Sequence, residues 1–368
     1  MTTHPRFDAE ARAAPRPAPP ALAPVALRGL GTALPPHALP QAEVLARARR
    51  VLAPRFPQFE RLAPAFENAG VETRRSVAPF EWFEESHGWE ARNALYLEGA
   101  TRLYVEAAAA ALDRAGWRAE EVDVAVTVSS TGVATPTLEA RAAGALGFRA
   151  DLQRVPLFGL GCAGGVTGLA VARRLAAARP GARVLLVAVE LCTLSFRTDR
   201  LRKADVIATV LFGDGAAAAC LAAGEGAVAL GEGFEHRWPD TLDIMGWEVE
   251  DTGLGVIFDR SIPDFATERM GEAARAALAA SGLSAVDRWV CHPGGAKVIL
   301  ALEGALGLAE GALDAERAVL REAGNMSAPT VLFVLDRALR EGAAGRLMAA
   351  ALGPGFTASF LPLAAESG

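Results

Sequence analysis

The chain has 368 residues, of which 51% are hydrophobic and 22% charged, with a formal net charge of −6. This length and apolar content predict a core larger than one small domain holds, and the scattered charges argue against a nucleic-acid surface or a basic membrane-binding face. No apolar run reaches the roughly 18 residues that a membrane span needs, so we expect a soluble protein.

Residues 1–24 are rich in Ala, Pro and Arg and lack the apolar core of a signal peptide, so we expect a flexible tail. From Val25 onward, short strands that are apolar on both faces alternate with longer runs of helical period, which is typical of a layered α/β protein. In chain order the predicted elements are helix Tyr96–Ala115, strand Val122–Ser129, helix Leu138–Leu146, helix Val166–Ala178, strand Val184–Val189, strand Ala216–Leu221, helix Thr267–Ala280, strand Arg288–Cys291 and helix Ala328–Glu341.

The two halves of the chain look like rough copies of each other. Each contains a long helix followed by a buried strand that ends in small or polar residues, Ser129-Ser130-Thr131 in one half and Cys291-His292-Pro293 in the other. An internal duplication of this kind brings both strand ends to one central site. We therefore predict two α/β halves, residues 25–225 and 226–368.

The four cysteines, Cys162, Cys192, Cys220 and Cys291, lie far apart and include no CxxC pair. This spacing argues against a zinc site or a disulfide framework and fits a reducing cytoplasm. Cys162 lies on a glycine-rich turn just before a helical run, where free backbone N–H groups and the helix dipole stabilise a thiolate. The alternative is a small buried hydrophobe, which is what most cysteines in soluble proteins are.

His292 is the only one of five histidines that follows a buried strand, and it opens onto a Pro293-Gly294-Gly295 turn from which an imidazole can project into a cleft. A hydrogen-bonded core histidine is the alternative. Asn325 precedes another predicted helix, where an ordinary N-cap is the alternative. Together, Cys162, His292 and Asn325 form the set that acyl-thioester chemistry needs.

With these three residues in place, the sequence resembles the type III polyketide synthases, the chalcone-synthase-like branch of the thiolase superfamily. The resemblance covers nearly the whole chain after the tail and implies a thiolase-like α/β fold with duplicated halves in αβαβα layers. It also implies a homodimer that pairs through the region of Thr135, and no metal or redox cofactor. The motifs, in order, are Gly161-Cys162-Ala163-Gly164-Gly165, Leu211-Phe212-Gly213-Asp214-Gly215-Ala216-Ala217, His292-Pro293-Gly294-Gly295, Gly324-Asn325-Met326-Ser327 and Gly353-Pro354-Gly355-Phe356.

The resemblance implies that Cys162 takes an acyl group from a coenzyme A or carrier-protein thioester. An imidazolium at His292 would keep the sulfur ionised. His292 and Asn325 would hold the thioester carbonyl of malonyl-CoA as carbon dioxide leaves. Backbone N–H groups of Cys162 and of the loop 352–356, which includes Gly353, Pro354 and Gly355, would form a second oxyanion hole.

Phe212 matches one of two aromatic gatekeepers of the plant enzymes, and Val256 aligns with the second, which predicts a widened passage. Trp247 stands where the plant enzymes carry glycine, so the cavity is also expected to be reshaped. The segments 243–249 and 253–260 look like those of bacterial alkylresorcinol and alkylpyrone synthases. We therefore predict a fatty acyl starter, extended by malonyl-CoA and closed to an alkylresorcinol or an alkylpyrone. Other positions that match cavity-lining residues are small: Ser130, Thr131, Cys192, Ser195 and Ser327.

The basic cluster that binds coenzyme A phosphates in plant enzymes carries over only at Arg61, so Arg55, Arg74 and Arg75 are candidate substitutes for the missing charges.

Two other functions remain open. A ketoacyl synthase III-like enzyme uses the same Cys-His-Asn set for a single condensation, although the Pro293-Gly294-Gly295 turn favours the iterative enzyme. A catalytically silent, acyl-binding partner subunit usually lacks the nucleophile, which is present here.

Overall fold

Strands and helices alternate along residues 23–199 and 202–367, the part of the chain that the computed structural model describes. The predicted tail lies almost wholly outside these residues. Within them, no helix is both long and apolar enough to cross a bilayer.

The strands are β1 Val25–Ala33, β2 His37–Pro40, β3 Thr73–Ser76, β4 Val124–Val128, β5 Gln153–Leu157, β6 Arg183–Leu191, β7 Asp214–Ala223, β8 Val228–Leu230, β9 Phe234–Arg237, β10 Met245–Glu250, β11 Gly253–Phe258, β12 Arg288–Cys291, β13 Gly345–Gly353 and β14 Thr357–Ala365. The helices are α1 Gln41–Leu52, α2 Phe59–Leu62, α3 Pro64–Asn68, α4 Phe80–Glu84, α5 Trp89–Ala115, α6 Leu138–Leu146, α7 Gly164–Ala178, α8 Lys203–Leu211, α9 Ile262–Ala280, α10 Ala296–Leu306, α11 Asp314–Ala323 and α12 Thr330–Arg340. Short 3-10 turns cover Ala119–Glu121, Gly161–Ala163 and Cys192–Ser195.

The predicted elements are all present, and two of them, α6 and β12, have the predicted bounds. Helix α9 begins five residues earlier than predicted, at Ile262. Its first turn contains Pro263, which the start of a helix tolerates because the missing N–H has no partner there in any case. Periodicity alone does not reveal such a turn.

One mixed sheet joins the two halves within the described chain, in the order β12-β13-β14-β8-β1-β7-β6-β4-β5, with β9 added to β14. Each half repeats one pattern. Strand β4 runs parallel to β6, which is antiparallel to β7, and β12 runs parallel to β13, which is antiparallel to β14. The short strand β8 pairs antiparallel with β1 on one side and β14 on the other.

The helices complete five layers. Helix α5 packs on the outer face of β1, β6 and β7, and α9 packs outside β9 and β14. Helices α7 and α12 lie between the halves and contact strands of both. This is the predicted αβαβα arrangement, and it buries the apolar faces of α7 and α12 in the centre of the molecule.

Equivalent aspartates mark the starts of β4 and β12. Asp123 donates its N–H to the Arg183 carbonyl, and its carboxylate accepts the Arg183 N–H, both at 2.9 Å. Asp287 makes the same two bonds with Arg346, both at 2.7 Å. These matched contacts support the predicted duplication and identify β4 and β12 as counterparts.

Candidate active site

Cys162 lies in the 3-10 turn Gly161–Ala163, which runs directly into α7. Gly161 has φ +47°, and a Cβ there would come within 2.7 Å of the Pro354 ring. A Cβ at Gly165 would lie 2.3 Å from the Ala328 carbonyl oxygen. The glycines around the cysteine therefore allow the β13–β14 turn and the approach to α12 to pack directly against the nucleophile.

His292 follows the last residue of β12, and its N–H donates to the Ala350 carbonyl at 2.8 Å. The side chain is buried, and neither ring nitrogen has a hydrogen-bond partner among the described residues. Burial lowers the pKa of His292 to about 3. The imidazole is therefore neutral at about pH 7.

Asn325 is held by a short backbone pairing with the segment around Phe212. Its N–H donates to the Leu211 carbonyl at 2.8 Å, and its carbonyl accepts the Gly213 N–H at 3.0 Å. Its side-chain Nδ2 donates to the Gly294 carbonyl at 3.2 Å. Because α12 begins only at Thr330, the N-cap alternative for Asn325 does not hold.

Cys162, His292 and Asn325 line one cavity, which contains about 430 Å³ of free space. The Cys162 Sγ lies 4.0 Å from the Asn325 Oδ1. The rest of the lining is apolar and comprises Met245, Phe258, Ile262, Met270, Gly294, Val298, Leu302, Ala350, Ala351 and Leu352. The structure thus brings together the three residues that the sequence analysis selected, in an apolar setting.

Burial raises the pKa of Cys162 to about 11, although a hydrogen bond from Ser327 acts in the opposite direction. Burial thus opposes the thiolate and the imidazolium that the sequence predicts, because desolvation outweighs the helix start. Ser327 also donates its N–H to the Asn325 Oδ1 at 2.8 Å. It has φ +59°, a left-handed backbone conformation that is uncommon outside glycine.

Ser130 and Thr131, at the end of β4, are held by the buried carboxylate of Glu190. This carboxylate accepts the Ser130 N–H at 2.9 and 3.0 Å and the Thr131 hydroxyl at 2.7 Å. Burial raises the pKa of Glu190 to about 7. The sequence analysis missed Glu190, although a lone charged residue in the apolar run of β6 was a usable signal.

A second cavity, of about 300 Å³, is lined by two of the small residues and does not include Cys162. Thr131 and Ser195 line it together with Trp247 and Leu254. Cys192 is buried, and its carbonyl accepts the Ser195 hydroxyl at 2.7 Å. Thr131, Cys192 and Ser195 do not line the Cys162 cavity, whereas Ser327 hydrogen-bonds to Cys162 itself.

The predicted opening at Val256 is also absent. Val256 is buried and lines neither cavity. Phe258 lies two residues further along β11, so the two side chains share one face of the hairpin. The rings of Phe258 and Trp247 both pack edge-on against the Phe212 ring. The distance between ring centroids is 6.4 Å for Phe258 and Phe212, and 6.2 Å for Trp247 and Phe212. An aromatic wall is therefore retained, supplied from different positions.

Gly353, Pro354 and Gly355 form the turn between β13 and β14 beside the nucleophile. A Cβ at Gly353 would lie 2.8 Å from the Ala163 nitrogen. The loop expected to contribute to an oxyanion hole thus packs against the Cys162 turn, and Leu352 at its start lines the cavity.

A larger cleft of about 1920 Å³ adjoins the Cys162 cavity and shares four lining residues with it, Phe258, Ile262, Gly294 and Val298. Four cations line this cleft, Arg61, Lys203, Arg260 and Lys297. Asp259 is the one acidic residue of the lining, and none of the four cations forms an ion pair with another described residue.

The cations proposed from the sequence to replace the plant cluster lie elsewhere. Arg74 is fully buried and donates to the carbonyls of Thr209, Val210 and Phe212. Arg55 donates to the Thr198 carbonyl, and Arg75 to the Pro36 carbonyl. The prediction for these three arginines is wrong, because none of them lines the cleft.

The chain matches known proteins over most of its length. Residues 80–225 match the N-terminal domain of the chalcone and stilbene synthases, and residues 234–362 match the C-terminal domain. The chain is 39% identical over 346 residues to 1,3,6,8-tetrahydroxynaphthalene synthase of Streptomyces peucetius, covering 90% of this chain and 91% of that protein. It is 29% identical over 362 residues to the "Alpha-pyrone synthesis polyketide synthase-like Pks18" of Mycobacterium tuberculosis, covering 93% and 91%.

Among solved structures, the crystal structure of 1,3,6,8-tetrahydroxynaphthalene synthase from Streptomyces coelicolor superposes with a TM-score of 0.88 at 31% identity. The match covers 93% of this chain and all of that one. Both the thiolase-like fold and the family expected from the sequence are confirmed. The chain belongs to the chalcone and stilbene synthase family of type III polyketide synthases, which are decarboxylating condensing enzymes.

Proposed function

We propose that this enzyme holds a fatty acyl starter as a thioester on Cys162 and extends it repeatedly with malonyl-CoA, closing the product to an alkylresorcinol or an alkylpyrone. The observation that carries the proposal is the cavity shared by Cys162, His292 and Asn325, whose other walls are apolar. A thiol supplies the acyl carrier, and the imidazole and the amide supply hydrogen-bond donors.

Loading begins when a starter thioester reaches Cys162. The proton of the thiol passes to a ring nitrogen of His292, and the sulfur attacks the thioester carbonyl and expels coenzyme A. Because burial disfavours each charged form alone, the pair rests neutral. Once formed, the thiolate and the imidazolium stabilise each other strongly in the same apolar surroundings.

Extension uses the two donors from the second half. The Asn325 amide and the protonated ring nitrogen of His292 bind the thioester oxygen of malonyl-CoA. The bond to the carboxylate breaks, carbon dioxide leaves, and the electron pair remains as an enolate stabilised by these donors. The enolate carbon then attacks the acyl carbonyl on Cys162, and the sulfur departs as thiolate, so that the lengthened chain is carried by coenzyme A until it returns to Cys162.

The apolar walls support an aliphatic starter. Each buried methylene contributes about 0.8 kcal/mol, which is roughly a fourfold gain in affinity. Side chains such as Met245, Met270 and Leu302 offer no polar partner to a hydroxylated aromatic starter. The likeness to the α-pyrone enzyme is consistent with a pyrone product.

A second candidate is the formation of 1,3,6,8-tetrahydroxynaphthalene from malonyl units alone. Two comparisons favour it, since both the relative at 39% identity and the structure with TM-score 0.88 bear that name. The retained aromatic wall of Phe212, Trp247 and Phe258 also favours a small starter.

We assign the cationic cleft to the phosphate groups of coenzyme A. Arg61, Lys203, Arg260 and Lys297 concentrate positive charge in a chain of net charge −6. Phosphates attract such unpaired cations, and the residues that the cleft shares with the Cys162 cavity provide a path for the pantetheine arm. Lys297→Ala should raise the KM for malonyl-CoA about fivefold, whereas Arg102→Ala, on the solvent-facing side of α5, should leave it unchanged.

A homodimer is proposed as well. Val133 and Phe158 are 52% and 65% exposed, and both lie near Thr135 or the edge strand β5. Large exposed apolar side chains beside an unpaired strand edge favour self-association. Light scattering coupled to gel filtration should give twice the chain mass, and Phe158→Asp should shift it toward the monomer.

The deciding experiment incubates purified enzyme with labelled malonyl-CoA, with and without palmitoyl-CoA, and identifies the products by mass spectrometry. Alkylated resorcinols or pyrones only when palmitoyl-CoA is present support the proposal. Tetrahydroxynaphthalene from malonyl-CoA alone supports the second candidate. A single ketoacyl product, or no acylation of Cys162, overturns both in favour of a one-step condensing enzyme or a silent subunit.

A further inference from the structure

Strand β12 carries His292 but has no strand on its outer side. Among the described strands it pairs only with β13, whereas its counterpart β4 is flanked by both β5 and β6. Successive N–H groups of a strand point to opposite edges. Because the His292 N–H reaches the Ala350 carbonyl of β13, the Cys291 N–H points away from the sheet.

Glu316 of α11 takes the place of the missing strand at this point. Its Oε1 accepts the Cys291 N–H at 2.8 Å. Glu316 is fully buried, and its second oxygen, Oε2, has no hydrogen-bond partner among the described residues. Burying a carboxyl group with one oxygen unsatisfied is unfavourable, and an apolar side chain of similar size would fill the same space. The feature that only the carboxyl group provides is an acceptor for the Cys291 N–H.

The far side of His292 is fixed by another bond. The Asn325 Nδ2 donates to the carbonyl of Gly294, two residues after His292. Glu316 and Asn325 lie on α11 and on the segment that directly follows it. The segment from Glu316 to Asn325 thus hydrogen-bonds to the backbone on both sides of His292.

We propose that Glu316 is a positioning residue that fixes the end of β12 and thereby the direction in which the His292 imidazole enters the cavity. The proposal rests on the proposed role of His292 in decarboxylation. A side chain displaced by about 1 Å can cost about 100-fold in rate, even when the altered residue touches no substrate. A loss caused in this way appears in kcat, because the phosphate groups of coenzyme A are assigned to the four cations of the adjoining cleft and not to His292.

The test compares Glu316→Gln, which keeps a carbonyl acceptor, with Glu316→Met, which fills the space without one. Release of carbon dioxide from malonyl-CoA is followed at steady state. We expect Glu316→Met to lower kcat at least 30-fold with the KM within twofold of the parent, and Glu316→Gln to retain kcat within threefold. The matched control is Glu303→Met on α10. Its carboxylate accepts bonds from Gly311, Leu313 and Arg317 and none from β12, so kcat should stay within threefold.

Equal losses of kcat in Glu316→Met and Glu303→Met would overturn the proposal, because the loss would then report general destabilisation. Full kcat in a folded Glu316→Met would overturn it as well. If that variant does not fold, Glu316→Asp decides: a five- to tenfold loss of kcat supports the proposal, and an unchanged kcat refutes it. A parent enzyme that releases no carbon dioxide refutes the proposed function itself, which keeps the two failures distinguishable.

Discussion

Strands β4 and β12 start in the same way, at Asp123 and Asp287, but they end in different chemistry. Strand β4 lies inside the sheet and ends in hydroxyl residues that are tied to the buried Glu190. Strand β12 lies at the edge and is followed by His292, whose ring nitrogens have no hydrogen-bond partner in the part of the chain that the structure describes. The reactive group of the first half, Cys162, lies at the start of a helix, whereas that of the second half, His292, lies at the end of a strand.

The largest expected effect tests the first half. Cys162→Ala should abolish product formation, with a loss of at least about 1,000-fold, because no thioester can form. Mass spectrometry of the intact protein should show no acyl adduct. Cys220→Ala, at a cysteine buried in β7, is the control and should load normally. Full product formation by Cys162→Ala would refute the nucleophile.

The next prediction separates the second half from the first. Asn325→Ala should slow the release of carbon dioxide from malonyl-CoA about 100- to 1,000-fold, because one donor to the enolate is lost. Loading of Cys162 should persist. Cys162→Gln should show the converse, decarboxylation without loading. If Asn325→Ala loses loading and keeps decarboxylation, the division of labour between the halves is wrong.

The two buried carboxyl groups that bond to the ends of β4 and β12, Glu190 and Glu316, predict a pH dependence of stability. Burial raises the pKa values of Glu190 and Glu316 from 4.5 to about 7. Between these values the folded state binds more protons than the unfolded state at each group, which contributes a fall in the free energy of unfolding of about 3 kcal/mol per group as pH rises from 4.5 through 7. His292, whose pKa burial lowers to about 3, contributes a change of the opposite sign over part of this range, so each variant is compared with the parent. In urea unfolding, Glu190→Gln and Glu316→Gln should each gain stability relative to the parent as pH rises from 4.5 to 7, and a difference from the parent that does not change with pH would contradict the shift of that group.

The smallest effect concerns the hairpin β10–β11. Val256→Phe adds a ring at a buried position beside Phe258 and Trp247, and should lower kcat/KM for palmitoyl-CoA about tenfold relative to hexanoyl-CoA, because the crowded Phe258 ring is displaced toward the Cys162 cavity that it lines. Val249→Phe, at a residue 79% exposed on the same hairpin, is the matched control. An unchanged ratio of the two substrates in Val256→Phe would remove the hairpin from starter selection.

The sequence was sufficient for the alternation of elements, the duplication and the three reactive residues, because each depends on a local pattern such as period, glycine spacing or motif order. It was insufficient where tertiary packing decides which of several neighbouring side chains fills a site or becomes buried. Aligning Val256 with a gatekeeper could not show that Phe258, on the same face, supplies the ring. Glu316 lies among the charged residues of α11, a pattern that predicts a solvated surface, and only tertiary packing buries it.

The short strand β8 has a mechanical consequence. Its three residues, Val228–Leu230, bond to β1 and β14 and stitch the two halves into one sheet. A hinge motion between the halves would break the hydrogen bonds of β8, so substrates have to enter through rearrangement of loops and side chains around the cleft. Such rearrangements leave the distance between Cys162 and Asn325 unchanged. The hairpin β10–β11 can diverge in evolution to accept new starters while the reaction geometry stays constant.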